Sequence, residues 1–337
     1  MPTGRRPRPG AIPPMTARTA DTPPAANTPQ PPAPWPTPAP NGQWPALSAA
    51  RHAPTARCPL RYMPAEPGGT GWRIGSVALA DLPLLAAWPA WFRLQAGELQ
   101  MHLPNGQQDH ALAEVHATLR QQGAIRAWRD EAFGLLGPGG QVLAVMERAA
   151  ARFWGSLTLG THCNGHVLGA DGRPSHLWVA QRAWHKATDP GRLDNLVGGG
   201  VAWGQTPRQA LLREAWEEAG LQPDELAGLQ VGSVLALDCD VPEGRQLEWL
   251  HVHDLALPAG RVPVNQDGEV AEHRLLPMAL ALAHAAAGDM TTDAALATLD
   301  FACRHRLLPE GQHATLAAAL RRLQVAPDGA SPGAGPA

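Results

Sequence analysis

Lysine is almost missing from this chain: Lys186 stands alone among 27 basic residues, in a sequence rich in Ala, Arg, Gly and Pro. The bias is that of a GC-rich genome. Where such drift turns lysine into arginine, a surviving lysine is a candidate for work that needs a compact ammonium rather than a planar guanidinium. Charge as a whole is sparse, at 17% of residues with a net charge of -3. The arginines are scattered and not clustered with aromatic residues, which excludes a nucleic-acid groove and leaves a small molecule as the expected partner. The four cysteines, Cys58, Cys163, Cys239 and Cys303, form no Cys-x-x-Cys pair. That argues against a zinc site or a disulfide framework and suits a reducing cytoplasm. No apolar run reaches the roughly 18 residues of a membrane span. The N-terminus has no apolar segment of the secretory kind, and the prolines among Arg5, Arg6, Arg8 and Arg18 spoil the amphipathic helix of a transit peptide. A cytoplasmic, membrane-free protein is expected.

Proline is abundant but localised, with fifteen of 35 falling in residues 1–45, where a disordered tail is expected and Met15 is an alternative start. Residues 46–152 read as a smaller α+β domain, including a helix near Asp109 to Gln122 with Ala111, Leu112, Val115 and Leu119 on its core face. Residues 153–290 read as a second domain. Strands are expected at Leu157 to Leu168, His176 to Gln181, Gln230 to Asp238 and Gln246 to Leu257, the first two joined by an Asp171-Gly172 turn. Residues 291–325 read as C-terminal helices and 326–337 as a second tail.

One helix carries chemistry. Thr206 as N-cap, Pro207 at the first helical position and Gln209 three residues after the cap predict a helix to Ala219, closed by Gly220. Glu214, Glu217 and Glu218 stand at i, i+3 and i+4 and share a face, with Leu212, Ala215, Trp216 and Ala219 expected opposite. Close like charges on a helix repel, and a hard divalent cation reverses that penalty. Oxygen-only ligands suit Mg2+ or Mn2+.

With the preceding Gly198-Gly199-Gly200, the string Gly199 to Leu221 resembles the Nudix box, Gly-x5-Glu-x7-Arg-Glu-U-x-Glu-Glu-x-Gly-U, where U is an apolar residue. The resemblance implies a Nudix fold, an α-β-α arrangement with a mixed sheet sandwiched by helices, and metal-dependent cleavage of a diphosphate. It assigns Glu214, Glu217, Glu218 and the Gly199 carbonyl to the metal, and to Arg213 the orienting of the carboxylates. Glu217 and Arg213 then belong to the catalytic set, together with Glu269 from a later loop as ligand or general base. One box position departs from the pattern: Gln205 stands where the first Glu is usual.

Upstream, Trp178 to Arg182, Lys186 and Pro190-Gly191-Arg192-Leu193-Asp194-Asn195 resemble Nudix proteins related to thiamine pyrophosphokinase, without the kinase domain. The stretches Ala111 to Arg120, Ile125 to Arg129 and Glu147 to Ala150 are similar to the uncharacterised domain that accompanies them. This resemblance spans about 57–290. It implies thiamine diphosphate or its oxidised derivatives as substrate, with Arg182, Lys186, Asp194 and Asn195 in contact with it and Trp178 or Trp184 stacking on a ring. His251 and His253, alternating along a strand, are expected to be structural. Two alternatives stay open: a diphosphatase for ADP-ribose, dinucleotides or nucleotide sugars, and a non-catalytic diphosphate-binding module in which Gln205 has disabled the site.

Overall fold

The computed structural model describes residues 44–64 and 71–325. Residues 1–43 of the tail expected at 1–45, and the whole tail expected at 326–337, lie outside them. Helix α1 (Pro45–Ala49) is followed by strands β1 (Arg57–Tyr62) and β2 (Trp72–Ala78), a 3-10 stretch at Leu79–Ala87, and strands β3 (Phe92–Gln95) and β4 (Glu98–Met101). These strands form a sheet in the order β2-β1-β4-β3. Helix α2 (Gln108–Gln121) buries Ala111, Leu112, Val115 and Leu119, as their spacing predicts. A hairpin of β5 (Ala132–Leu136) and β6 (Val142–Glu147) and a short α3 (Ala150–Trp154) complete this smaller α+β unit. Its centre is Trp154, whose indole N–H donates to His116 Nε2 at 2.8 Å, and burial pushes His116 down to about 3.

The larger unit holds β7 (Leu157–Leu168), β8 (Pro174–Arg182), β9 (Leu193–Asp194), β10 (Val197–Gly200), α4 (Pro207–Ala219), β11 (Gln230–Val241), β12 (Gly244–Ala256), β13 (Val270–Pro277), α5 (Met278–Ala287), α6 (Thr292–Arg304) and α7 (Glu310–Arg321). The sheet order is β11-β12-β7-β8-β13, with β10 paired to β7 and β9 to β8. It is mixed, because β7 runs parallel to β12 and antiparallel to β8. Side chains alternate across it. Leu177 and Val179 join the core under α5 and α6, while Trp178 joins the core under α4. Helices therefore cover both faces.

One expected boundary moves. Trp44 and Pro45, assigned to the tail on their proline-rich context, belong to the fold: Trp44 is 1% exposed and packs in the core formed by α5, α6 and the sheet. The C-terminal helices expected from 291 pack against the sheet. Every residue from Ala294 to Ala302 on α6 is buried, so this helix closes the sheet's second face. No helix among the described residues is long and apolar enough to cross a membrane.

Replacing a fully buried large aromatic side chain by alanine costs about 3–5 kcal/mol. Trp44→Ala is expected to lose that much in urea denaturation, and a loss below about 1 kcal/mol would return the segment to the tail.

Candidate active site

Helix α4 begins as its sequence demands. The Thr206 hydroxyl accepts from Gln209 N–H at 3.2 Å and the Gln209 side chain accepts from Thr206 N–H at 2.8 Å, a reciprocal capping box. It ends at Gly220, whose φ of +63 gives the left-handed turn. The orientation differs from expectation. Trp216 is 47% exposed, whereas Glu214 and Glu218 are buried beside Leu211 and Ala215. The glutamates are not a solvated stripe opposite an apolar one; two of them point inward, and Glu217 lies at the rim.

Three consecutive glycines on β10 make that possible, each leaving room for a different neighbour. A Cβ on Gly198 would stand 2.7 Å from the His162 ring, and one on Gly199 would collide with the Glu214 carboxylate. A Cβ on Gly200 would stand 2.7 Å from Phe133 and 3.0 Å from Arg148 of the smaller unit. The strand thus touches the core, the acidic helix and the other domain at successive residues.

The Glu218 carboxylate accepts from Gly198 N–H at 2.8 Å. Arg213 donates to Glu217 at 2.7 Å and to Glu214 at 2.8 Å. Burial pushes the Glu214 carboxyl up to about 7, the Glu217 charge adding to the effect and Arg213 opposing it. Burial, with the charges of Glu214 and Asp194, holds Glu218 well above the usual carboxylate range. Ionised together, Glu214, Glu217 and Glu218 carry more negative charge than Arg213 neutralises, and their donors are oxygens, which fits a hard divalent ion. As the side chains stand, no three acidic, histidine or cysteine side chains among the described residues converge on one point. Arg213 occupies two of the carboxylates, so holding an ion requires those side chains to turn.

The loop after β12 wraps the end of α4. Val264 N–H donates to Ala219 O at 3.0 Å and Gln266 N–H to Glu217 O at 2.7 Å, delivering Glu269 to the site. There Glu269 pairs with Lys186, whose side chain is only 9% exposed. Burial pushes the Glu269 carboxyl up, but the Lys186 ammonium, with Arg129 and Arg182, more than offsets this and holds it below the usual glutamate value. Lys186 also acts on Glu218. The sole lysine thus stands among the residues that the sequence nominates.

Other nominated residues are placed differently. Arg182 is taken up by Asp194 at 2.9 Å and by Thr188 O at 3.0 Å. The Asn195 side-chain amide donates to Asn164 Oδ1 at 3.0 Å, and its carbonyl pairs with His162 Nδ1 at 2.8 Å. Asp194 and Asn195 therefore brace the core under the site and offer nothing to a ligand, and Arg182 serves as Asp194's counter-ion. Trp178 is buried in the core and cannot stack on a ligand. Trp184 can: it is 72% exposed and lies against Gly191, where a Cβ would strike its ring. His253 bonds Thr161 at 3.3 Å within the sheet, and burial lowers His251 to about 4. Gln205 leaves its side-chain oxygen buried without a hydrogen-bond partner. It lines, with Trp203, Phe133 and Trp249, a cleft of about 1360 Å3 whose walls hold none of the acidic-helix glutamates.

Three residues of the smaller unit reach the site without having been assigned a role from sequence. Arg148 pairs with Glu131 at 2.7 Å and its charge acts on Glu214, while Glu131 acts on Arg213. Arg129 acts on Glu269. The only signal for Arg129 and Arg148 is the similarity of Ile125 to Arg129 and Glu147 to Ala150 to a domain of unknown role, and Glu131 lies outside both stretches.

Residues 164–295 match the family model of the NUDIX domain, and residues 70–157 match a domain of unknown function, DUF4743. The chain thus carries a Nudix domain preceded by a DUF4743 domain, and the mixed sheet between helices is the Nudix fold. Among curated proteins it is similar to Nudix hydrolase 20, chloroplastic, of Arabidopsis thaliana, 35% identical over 198 residues, 58% of this chain and 52% of the relative. It is also similar to Nudix hydrolase 24, chloroplastic, of the same plant, 36% identical over 203 residues, 59% of this chain and 54% of the relative. The chain spans about half the length of these relatives. Among solved structures, one from Deinococcus radiodurans is 24% identical with a TM-score of 0.37, covering 48% of this chain and 92% of that one.

Folded Glu214 titrates near 7 instead of near 4.5, so the ion-free folded state holds an extra proton between those values and loses stability as pH rises through them. A carboxyl whose titration moves by one pH unit on folding changes stability by about 1.4 kcal/mol, enough to read in a melting curve. In metal-free buffer the melting temperature of the wild type is expected to fall relative to Glu214→Gln from about pH 5 to about pH 8. Parallel profiles for the two proteins would contradict a Glu214 carboxyl raised by burial.

Proposed function

We propose that this protein hydrolyses a diphosphate linkage with the help of a divalent ion, and that its substrate is thiamine diphosphate or an oxidised derivative, cleaved to the monophosphate and phosphate. The observation that carries the reading is the burial of Glu214 and Glu218 over Gly199, with Glu217 and Arg213 at the rim. Glu214, Glu217, Glu218 and the Gly199 carbonyl would hold the ion. When bound, Mg2+ or Mn2+ neutralises phosphate oxygens and lowers the pKa of an attacking water.

The protein's own groups supply the rest. Arg213 positions the Glu214 and Glu217 carboxylates along the helix rim. Hydrolysis forms a bond from the water oxygen to phosphorus, breaks the bridging P–O bond and releases a proton. Glu269, kept ionised by Lys186, is assigned as the carboxylate that accepts it, a role its ion pair on the loop beside α4 supports. Trp184, exposed on the loop beside Lys186, offers a ring face to an aromatic substrate. Specificity for a thiamine-type substrate is supported by this aromatic-lysine loop and the similarity of its motif, and hydrolysis itself by the carboxylate helix.

The test is a panel with Mg2+ or Mn2+ that compares oxidised and unoxidised thiamine diphosphate with ADP-ribose and NADH. Phosphate release from the thiamine compounds is expected. Glu217→Gln should lower kcat by on the order of 10²–10³, as removing a group that stabilises transition-state charge does. Preference for ADP-ribose or NADH would move the protein to another diphosphatase class. No turnover of any compound would leave a binding module, with Gln205 as the mark of its lost activity.

A further inference from the structure

Arg129 sits between α2 and β5, in the smaller unit, yet its side chain is directed at the catalytic domain. Its backbone N–H donates to Glu147 Oε1 at 2.9 Å, and its guanidinium donates to Thr188 Oγ1 at 3.1 Å. The carbonyl of that same Thr188 accepts from Arg182 at 3.0 Å. Arginines from two domains thus meet on one residue of the loop that carries Lys186.

The cations around this point are otherwise matched. Arg148 has Glu131, Arg182 has Asp194, Lys186 has Glu269, and Arg213 has Glu214 and Glu217. Among the described residues Arg129 forms no ion pair, although it is partly buried. Burial, and then the neighbouring Arg148 charge, lower its pKa, with Arg182 adding to the effect and Glu269 and Glu131 opposing it. A desolvated, unpaired guanidinium is costly unless an anion joins it.

The backbone here is strained. Of the five non-glycine residues with positive φ among the described residues, Ala127 and Asp130 flank Arg129, and Asp189 follows Thr188. Such a conformation is costly for a residue with a side chain and is retained where the surroundings fix it. Trp128 supplies that fixing: its indole N–H donates to Asp130 at 2.7 Å, and Arg120 lies 4.5 Å over its ring. Strain on both sides of the contact holds Arg129 in place.

We propose that Arg129 is a phosphate-binding residue of the active site, so that the DUF4743 domain contributes the guanidinium that receives the diphosphate of the substrate. The inference rests on the diphosphate reading above. An arginine fork suits this task, since its parallel N–H groups match two phosphate oxygens at once.

The test uses the full chain with saturating Mg2+ and methylenediphosphonate, a non-hydrolysable diphosphate, in a calorimetric titration. Arg129→Gln is expected to weaken binding about 10- to 100-fold, the scale of a charge-assisted hydrogen bond, with Arg129→Lys in between. In turnover the same change should appear in KM more than in kcat. Thr188→Val removes the present partner of Arg129 and is expected to keep affinity within about threefold. Unchanged binding by both Arg129 variants, an equal loss in Thr188→Val, or no binding by the wild type would overturn the proposal. If the wild type binds methylenediphosphonate through Arg129 but hydrolyses nothing, the hydrolase reading fails and this assignment stands. If it hydrolyses and Arg129→Gln matches it, this assignment alone fails.

Discussion

Everything in this site depends on how closely β10 approaches α4. Only glycine at 199 lets the strand lie against the Glu214 carboxylate, and the Gly198 N–H then reaches Glu218. A side chain at 199 would displace the Glu214 carboxylate from this position. Exposed carboxylates would be ordinary surface acids. Held against the sheet, they are desolvated, and desolvation is the first cause of the raised pKa of both Glu214 and Glu218.

That burial sets the requirement for charge around it. Arg213 serves the helix from within, Lys186 and Arg182 come from the loop and strand next to it, and Arg129 and Arg148 come from the other domain. Glu218 is desolvated beside the charges of Glu214 and Asp194, whereas Arg129 forms no ion pair among the described residues, so the unmatched negative and positive groups lie in different parts of one site. A cation on the first and a phosphate on the second would complete both. A metal-diphosphate complex has that charge distribution.

The capping box, the Gly220 stop and the offsets of the four helix residues were legible from sequence, because each depends on neighbours within one turn. So were the hairpins and the core face of α2. Side-chain direction at longer range was not. Asp194 and Asn195 sit in a motif that reads as a ligand contact, but β9 turns them toward Arg182, His162 and Asn164. Trp216 and Trp178 exchange their expected roles, one exposed and one buried, since an amphipathic count cannot tell that buried glutamates define the inward face of α4. Trp44 was hidden by its prolines. Glu131 and Arg148 lie more than fifty residues upstream of the helix they act on, and Arg129 lies further still from Glu269, so only the folded chain brings them there.

The central claim is that the inward-facing glutamates of α4 are a divalent-cation site. Titration of the protein with Mn2+, followed by the paramagnetic resonance of the free ion, tests it without reference to any substrate. The expected result is saturable binding by the wild type that is lost in Glu218→Gln, while Glu272→Gln, on the exposed face of β13, binds as the wild type does. Equal Mn2+ binding by wild type and Glu218→Gln, or none by either, would contradict it.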